Sequence, residues 1–198
     1  QSEDYFYDNS TNNKSTLKLS QPKPTEEKIT TIENELFIAK ISSLCGGSLV
    51  SFQVKGHLGP DSGFVNLASN DNKKNLLVGF RNLDGELLEL EDGWIVENPY
   101  DSLYINDETT LTYTYSYGRK KITKTITAYP RSFVFDIELD MTPVANNLLE
   151  ERFSFSWIGG LPPTEKDSTA EEYFFGTYLY QGGELIDVKE SKGDSFKN

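Results

Sequence analysis

One cysteine, one histidine and one methionine stand in 198 residues, and each scarcity removes a class of function. A lone Cys45 forms no intramolecular disulfide, and together with the single His57 it assembles no Cys/His zinc site. No apolar run approaches the roughly 18 residues that cross a bilayer, and no basic-then-apolar leader opens the chain. The sequence therefore reads as a soluble fragment. It begins at Gln1, and its one methionine is Met141, so it reads as cut or matured from something longer. Basic residues are outnumbered: 19 Lys+Arg against 31 Asp+Glu give a net charge of -12. Such a field opposes phosphate backbones and anionic lipid surfaces, which excludes nucleic acid as a partner.

Aromatic residues are not scarce. They make up 13% of a chain whose mean hydropathy is only -0.51, so a core is to be built from Tyr, Phe and Trp. Residues 1–28 are polar and irregular, with Gln21-Pro22-Lys23-Pro24 near their end, and cannot bury enough surface to offset ordering entropy. They read as a flexible linker. The triplets Asn9-Ser10-Thr11 and Asn13-Lys14-Ser15 and the Tyr5-Phe6-Tyr7 cluster inside it are read as incidental.

From Ile29 onward apolar residues recur with period two, over Ile29–Glu33, Leu36–Ser43 and Ser48–Lys55, with Gly46-Gly47 placed for a tight turn. The pattern is cleanest where Leu111, Tyr113, Tyr115 and Tyr117 alternate with Thr110, Thr112, Thr114 and Ser116. Tyr117-Gly118-Arg119 offers a turn, and Lys120–Ala128 returns with Ile122 and Ile126 opposed to Thr123, Thr125 and Thr127, which predicts a hairpin. Tyr129-Pro130 ends it. Phe133 to Met141 marks a third strand and Phe153, Phe155 and Trp157 a fourth. Helical periodicity is confined to a turn or two at Asn146–Glu151 and Thr164–Glu172. The expected fold class is all-β, a β-sandwich with little helix.

Candidate chemistry is sparse. His57 lies at a strand end with no nucleophile motif around it, and Cys45 reads as a buried small hydrophobe. Carboxylates at Glu86, Glu89, Glu91 and Asp92, and at Glu171 and Glu172, are the candidates for a glycosidase-like pair, but a chain this acidic presents such clusters as solvated faces. Trp94, Trp157, Tyr173, Phe174, Phe175, Tyr178 and Tyr180 are candidates for a sugar platform, with a core role the stronger reading. Aromatics on both faces of Tyr173–Gln181 predict a strand covered on both sides. No catalytic, cofactor-binding or metal-ligating residue is assigned, no cofactor is expected, and the position of any binding surface is left open.

Ile29 through Gly47, followed by Ser48-Leu49-Val50-Ser51-Phe52, resembles the opening of the large periplasmic domain of the YidC/Oxa/Alb family of membrane-protein insertases. The order of the later pieces is similar too: Thr109 to Tyr117, Lys121 to Ile126, Tyr129-Pro130 with Phe133 to Leu139, and Phe153 to Gly160 before Leu161-Pro162-Pro163. The resemblance implies a twisted β-supersandwich of the galactose-mutarotase kind over residues 29–198, with Asn198 falling before the family's closing strands and helices. Residues 1–28 become the tether from a preceding transmembrane helix. It further implies a non-enzymatic periplasmic domain of a bacterial inner-membrane protein. The expected partners are Sec translocon subunits and nascent membrane proteins, which the domain contacts or scaffolds while insertion takes place in the membrane-embedded part. The competing class is a carbohydrate-binding or aldose-epimerase-like sandwich.

Overall fold

The computed structural model describes residues 25–59, 62–68, 74–98, 100–158, 161–165 and 178–187. The expected linker lies outside the described residues except for 25–28. Three of those four are tied to the body: Thr25 Oγ1 donates to the Trp94 carbonyl, Ser42 Oγ to Glu27, and Lys28 Nζ to the Asn98 carbonyl at 2.7 Å.

The first sheet has five strands. β1 (Ile29–Glu33), β2 (Phe37–Ser42), β3 (Ser48–Leu58) and β4 (Phe64–Asn66) form an antiparallel meander, and β8 (Ser102–Tyr104) joins β1 in parallel, giving the order β4-β3-β2-β1-β8. Asn34 sets the first turn. Its Oδ1 accepts from the Leu36 and Phe37 amides at 2.8 and 2.9 Å, while its Nδ2 donates to the carbonyls of Tyr129 and Ser132. A fully buried amide with every such bond made welds the first hairpin to the Tyr129-Pro130 corner.

The second sheet carries the predicted hairpin. β9 (Thr109–Tyr117) and β10 (Lys120–Ala128) pair through nine register positions across a Gly118-Arg119 turn, flanked by β11 (Phe135–Asp140) and β7 (Trp94–Val96). Leu111, Tyr113, Tyr115 and Tyr117 are all buried, as the alternation requires. A third sheet has the order β12-β5-β6, from Leu148–Ser156, Leu77–Asn82 and Leu87–Glu89. β13 (Tyr178–Gln181) and β14 (Glu184–Asp187) make a separate hairpin.

The sheets share one core. The rings of Phe37 and Phe52 meet Phe135 at 5.3 and 5.7 Å, and Phe80 of β5 meets Tyr117 edge-on at 5.7 Å. The Leu44–Gly46 turn drives the chain into this core with Cys45, Gly46 and Gly47 in succession at positive φ. A side chain on Gly46 would lie 2.7 Å from the Trp94 ring, and one on Gly47 would strike Ile126 and Tyr113, so glycine is required at both.

The all-β sandwich expectation holds, with two short 3-10 segments, Leu44–Gly46 and Thr142–Asn147, as the helix among the described residues. The turn expected at Asn146–Glu151 falls earlier, at Thr142–Asn147, where Pro143 is preset for helical φ, and the chain is in β12 by Leu148. That expected at Thr164–Glu172 lies mostly outside the described residues. The strand expected at Tyr173–Gln181 is corrected: residues 171–177 are not described, and the strand that is seen, β13, exposes Tyr178 and Tyr180 rather than burying them.

Candidate functional site

The most irregular ladder in the fold joins β12 to β5. Leu148 pairs with Asn82 and Phe153 with Phe80, so four residues of β12 stand opposite the single Arg81. The excess is absorbed by Glu150 and Glu151, whose φ of 56° and 55° lies in the left-handed region that costs a non-glycine residue roughly 1–2 kcal/mol. The bulge opens a groove of about 340 Å³ lined by Phe80, Arg81, Leu87, Leu149, Arg152 and Phe153, among others.

Its walls are apolar and wet. Leu87, Leu149 and Phe153 remain 53%, 38% and 50% exposed. Its charge is cationic in an acidic chain: Arg152 pairs with Glu150 at 3.1 Å, and Arg81 donates to the Gly85 carbonyl at 2.8 Å. That bond uses one of the five N–H groups of Arg81. These groups can bind and orient a ligand, because a guanidinium stays protonated and transfers no proton at neutral pH.

The most unusual residue of the core is a lysine. Lys124 of β10 has no exposed surface, and its Nζ donates to the carbonyls of Cys45 and Leu76 at 2.5 and 2.6 Å. The rings of Trp94 and Phe155 lie 5.4 Å from the ammonium, which places a β12 aromatic against the same nitrogen. Both carbonyls belong to residues at positive φ, Cys45 at 55° and Leu76 at 57°. The lysine thus pins two strained loops. Burial lowers its pKa from the ordinary 10.5 to about 7.

The residues singled out from sequence scatter. His57 is exposed at the far end of β3. Cys45 is fully buried, and burial pushes its thiol up to about 11, so it stays protonated at neutral pH and is a poor nucleophile. Glu91 pairs with Lys74 at 2.8 Å and Glu86 accepts from Asn82 in the exposed β5-β6 turn. No group of acids and imidazoles suited to a metal ion occurs among the described residues. Trp94 is core, tilted against Tyr115 at 5.3 Å with its Nε1 donating to Leu90, and is no sugar platform. Trp157, Tyr178 and Tyr180 are exposed, while Glu171, Glu172, Tyr173, Phe174 and Phe175 lie outside the described residues.

No family model and no solved structure matches the chain. Curated proteins do. It is 30% identical over 182 residues to the membrane protein insertase YidC of Chlorobaculum parvum, across 84% of this chain. The YidC proteins of Chlorobium luteolum and Chlorobaculum tepidum are each 27% identical, over 176 and 172 residues. The chain is related to the YidC insertases. It spans 29–30% of the length of these three YidC proteins, so it corresponds to one part of them. No helix among the described residues of this YidC-like domain is long and apolar enough to cross a membrane.

Three parts of the site were not named from sequence. Lys124 carried a signal, since it sits two residues from both Ile122 and Ile126 on the face that is buried. Arg81 and Arg152 carried none, because the bulge that brings them together depends on a pairing some 70 residues apart in the YidC-like chain.

Proposed function

We propose that this chain is a non-catalytic, periplasmic domain of a YidC-type insertase of the bacterial inner membrane, which contacts nascent membrane proteins and Sec translocon subunits during insertion. The observation carrying the reading is the match to YidC proteins across 84% of the chain. The physical argument agrees with it. Moving a helix into lipid requires a lipid-facing path that an acidic sandwich does not provide, so the domain contributes by protein contact, at exposed apolar surface such as the β5–β12 groove. The domain is taken to begin near Ile29 and to follow a tether over residues 1–28, whose end, from Thr25, is already hydrogen-bonded to the body.

Photo-crosslinking in cells tests this, with the crosslinker placed in turn at Leu87, Leu149 and the distant His57 of the full-length parent. Crosslinks to nascent membrane proteins or translocon subunits from any of these support the role. Their absence from all three, with insertion proceeding normally when the domain is deleted, overturns it. Among the described residues, carbohydrate binding is favoured by Tyr178 and Tyr180, alternate residues of β13 that are 63% and 72% exposed. A glycan array that recovers a ligand lost in Tyr180→Ala would move the assignment there.

A further inference from the structure

We propose that the bulged seam between β5 and β12 is a docking groove for an extended apolar peptide segment that carries a carboxylate. This rests on the contact role just given and names the chemistry of the segment contacted.

Three observations converge on that occupant. First, the shape suits an extended chain. The register jump leaves residues 149–152 without ladder partners on β5, and an extended segment that lies along a strand is the kind of chain such an interrupted ladder can take up. In the order β12-β5-β6, moreover, β12 is the outer strand among the described residues. Second, the walls suit apolar side chains. Leu87, Leu149 and Phe153 present half-exposed surface to a groove of about 340 Å³, the lower end of the range for small-ligand sites, which suits a few side chains rather than a folded surface.

Third, the charge selects an acid. In a chain of net charge -12, this groove holds two guanidiniums and one carboxylate. Arg152 is partly satisfied by Glu150, but Arg81 has one hydrogen bond, to Gly85, among the described residues. A planar fork with free N–H groups beside an apolar wall pairs with a carboxylate in two parallel hydrogen bonds. A strained double bulge held open by two left-handed glutamates, rather than relaxed by glycine, is consistent with a feature retained for binding.

The test uses the full 198-residue chain and two fluorescein-labelled peptides of alternating Leu and Ser, one with a central Asp and the other with Asn in its place. Fluorescence anisotropy should show the Asp peptide binding about fivefold tighter than the Asn peptide at low salt. Arg81→Gln and Arg152→Gln should each reduce that preference. Leu87→Ser, at a half-exposed position where folding is undisturbed, should weaken both peptides about equally, and Phe153→Ser more so provided its urea midpoint shows it folded. Equal affinity of the two peptides for the wild type overturns the proposal. So does indifference of both peptides to Leu87→Ser, or binding of anionic vesicles that depends on the arginines and is not competed by peptide.

The two readings fail separately. Crosslinks in cells without acid-selective peptide binding would leave the insertase role and remove the groove. Acid-selective binding without crosslinks, and with normal insertion when the domain is deleted, would keep the groove and remove the role.

Discussion

Replacing Lys124 with methionine separates the terms that hold the core together. Two act on the native lysine in opposite directions. Carbonyls at 2.5 and 2.6 Å and rings at 5.4 Å favour the ammonium, whereas complete burial favours the neutral amine. Burial prevails and brings the pKa to about 7. In the unfolded chain the same amine titrates near 10.5, so between pH 7 and 10.5 the unfolded state holds a proton that the native state has lost. Stability therefore rises with pH across that window, by about 1.4 kcal/mol per unit. Above pH 9 the thiol of Cys45, raised to about 11 in the native state, acts the other way, because the unfolded chain ionises first. The tyrosines raised by burial, Tyr115 to about 12 among them, extend that decline. The clean interval is pH 7 to 9. Because the native lysine is only half deprotonated at pH 7, the full slope develops over the first unit, and across the interval the wild type should gain about 2 kcal/mol relative to Lys124→Met, which has no titrating group there. At pH 9 the variant also leaves the Cys45 and Leu76 carbonyls without their donor, at roughly 1–3 kcal/mol each. Urea unfolding of both proteins at half-unit pH steps measures the gap. A gap that stays flat from pH 7 to 9 would refute the reasoning and show that the carbonyls and rings keep the lysine charged.

Gly47→Ala places a methyl against Ile126 and Tyr113 at a φ of 106° and should cost more than about 2 kcal/mol in urea unfolding, with Gly56→Ala, which meets no neighbour, costing less. Asn34→Ala removes four hydrogen bonds, two within the β1-β2 turn and two that join it to the Tyr129 corner, and should cost about 3 kcal/mol, with faster amide exchange at Leu36 and Phe37. Tyr113→Phe should go the other way, because the buried Tyr113 hydroxyl has no hydrogen-bond partner among the described residues. Removing that hydroxyl should stabilise the domain by about 1 kcal/mol, read as a higher urea midpoint at unchanged slope.

How far the fold was legible depended on strand length. β9 and β10 run nine residues each with strict alternation, long enough for period two to stand out; β10 was read to the residue and the alternation of β9 from Thr110, one residue inside its start. β4, β6, β7 and β8 have three residues each, too few to show any period, and were not read. Their existence is a consequence of pairing with longer strands, as Trp94 and Val96 do with Tyr115 and Tyr113. Lys124 was hidden by its own charge, since a cation among threonines reads as surface until its register with Ile122 and Ile126 is taken seriously. The groove has no local signature at all. Leu149 to Phe153 reads as an ordinary stretch of strand, and only the mismatch with β5 turns it into a bulge.

The parallel pairing of β1 with β8 has a consequence for synthesis. β1 bonds to β2 almost at once, across a three-residue turn, but its other edge meets Ser102 to Tyr104 only after about 70 further residues have been made. At ~5–20 residues per second that edge stays unpaired for ~4–14 s during synthesis. During this interval a half-built sheet presents the row of free amides and carbonyls that invites pairing with another chain. A holdase that binds extended segments should therefore engage this domain early in its emergence and release it once Tyr104 is out, so that arrest of translation before β8 would lengthen the engagement.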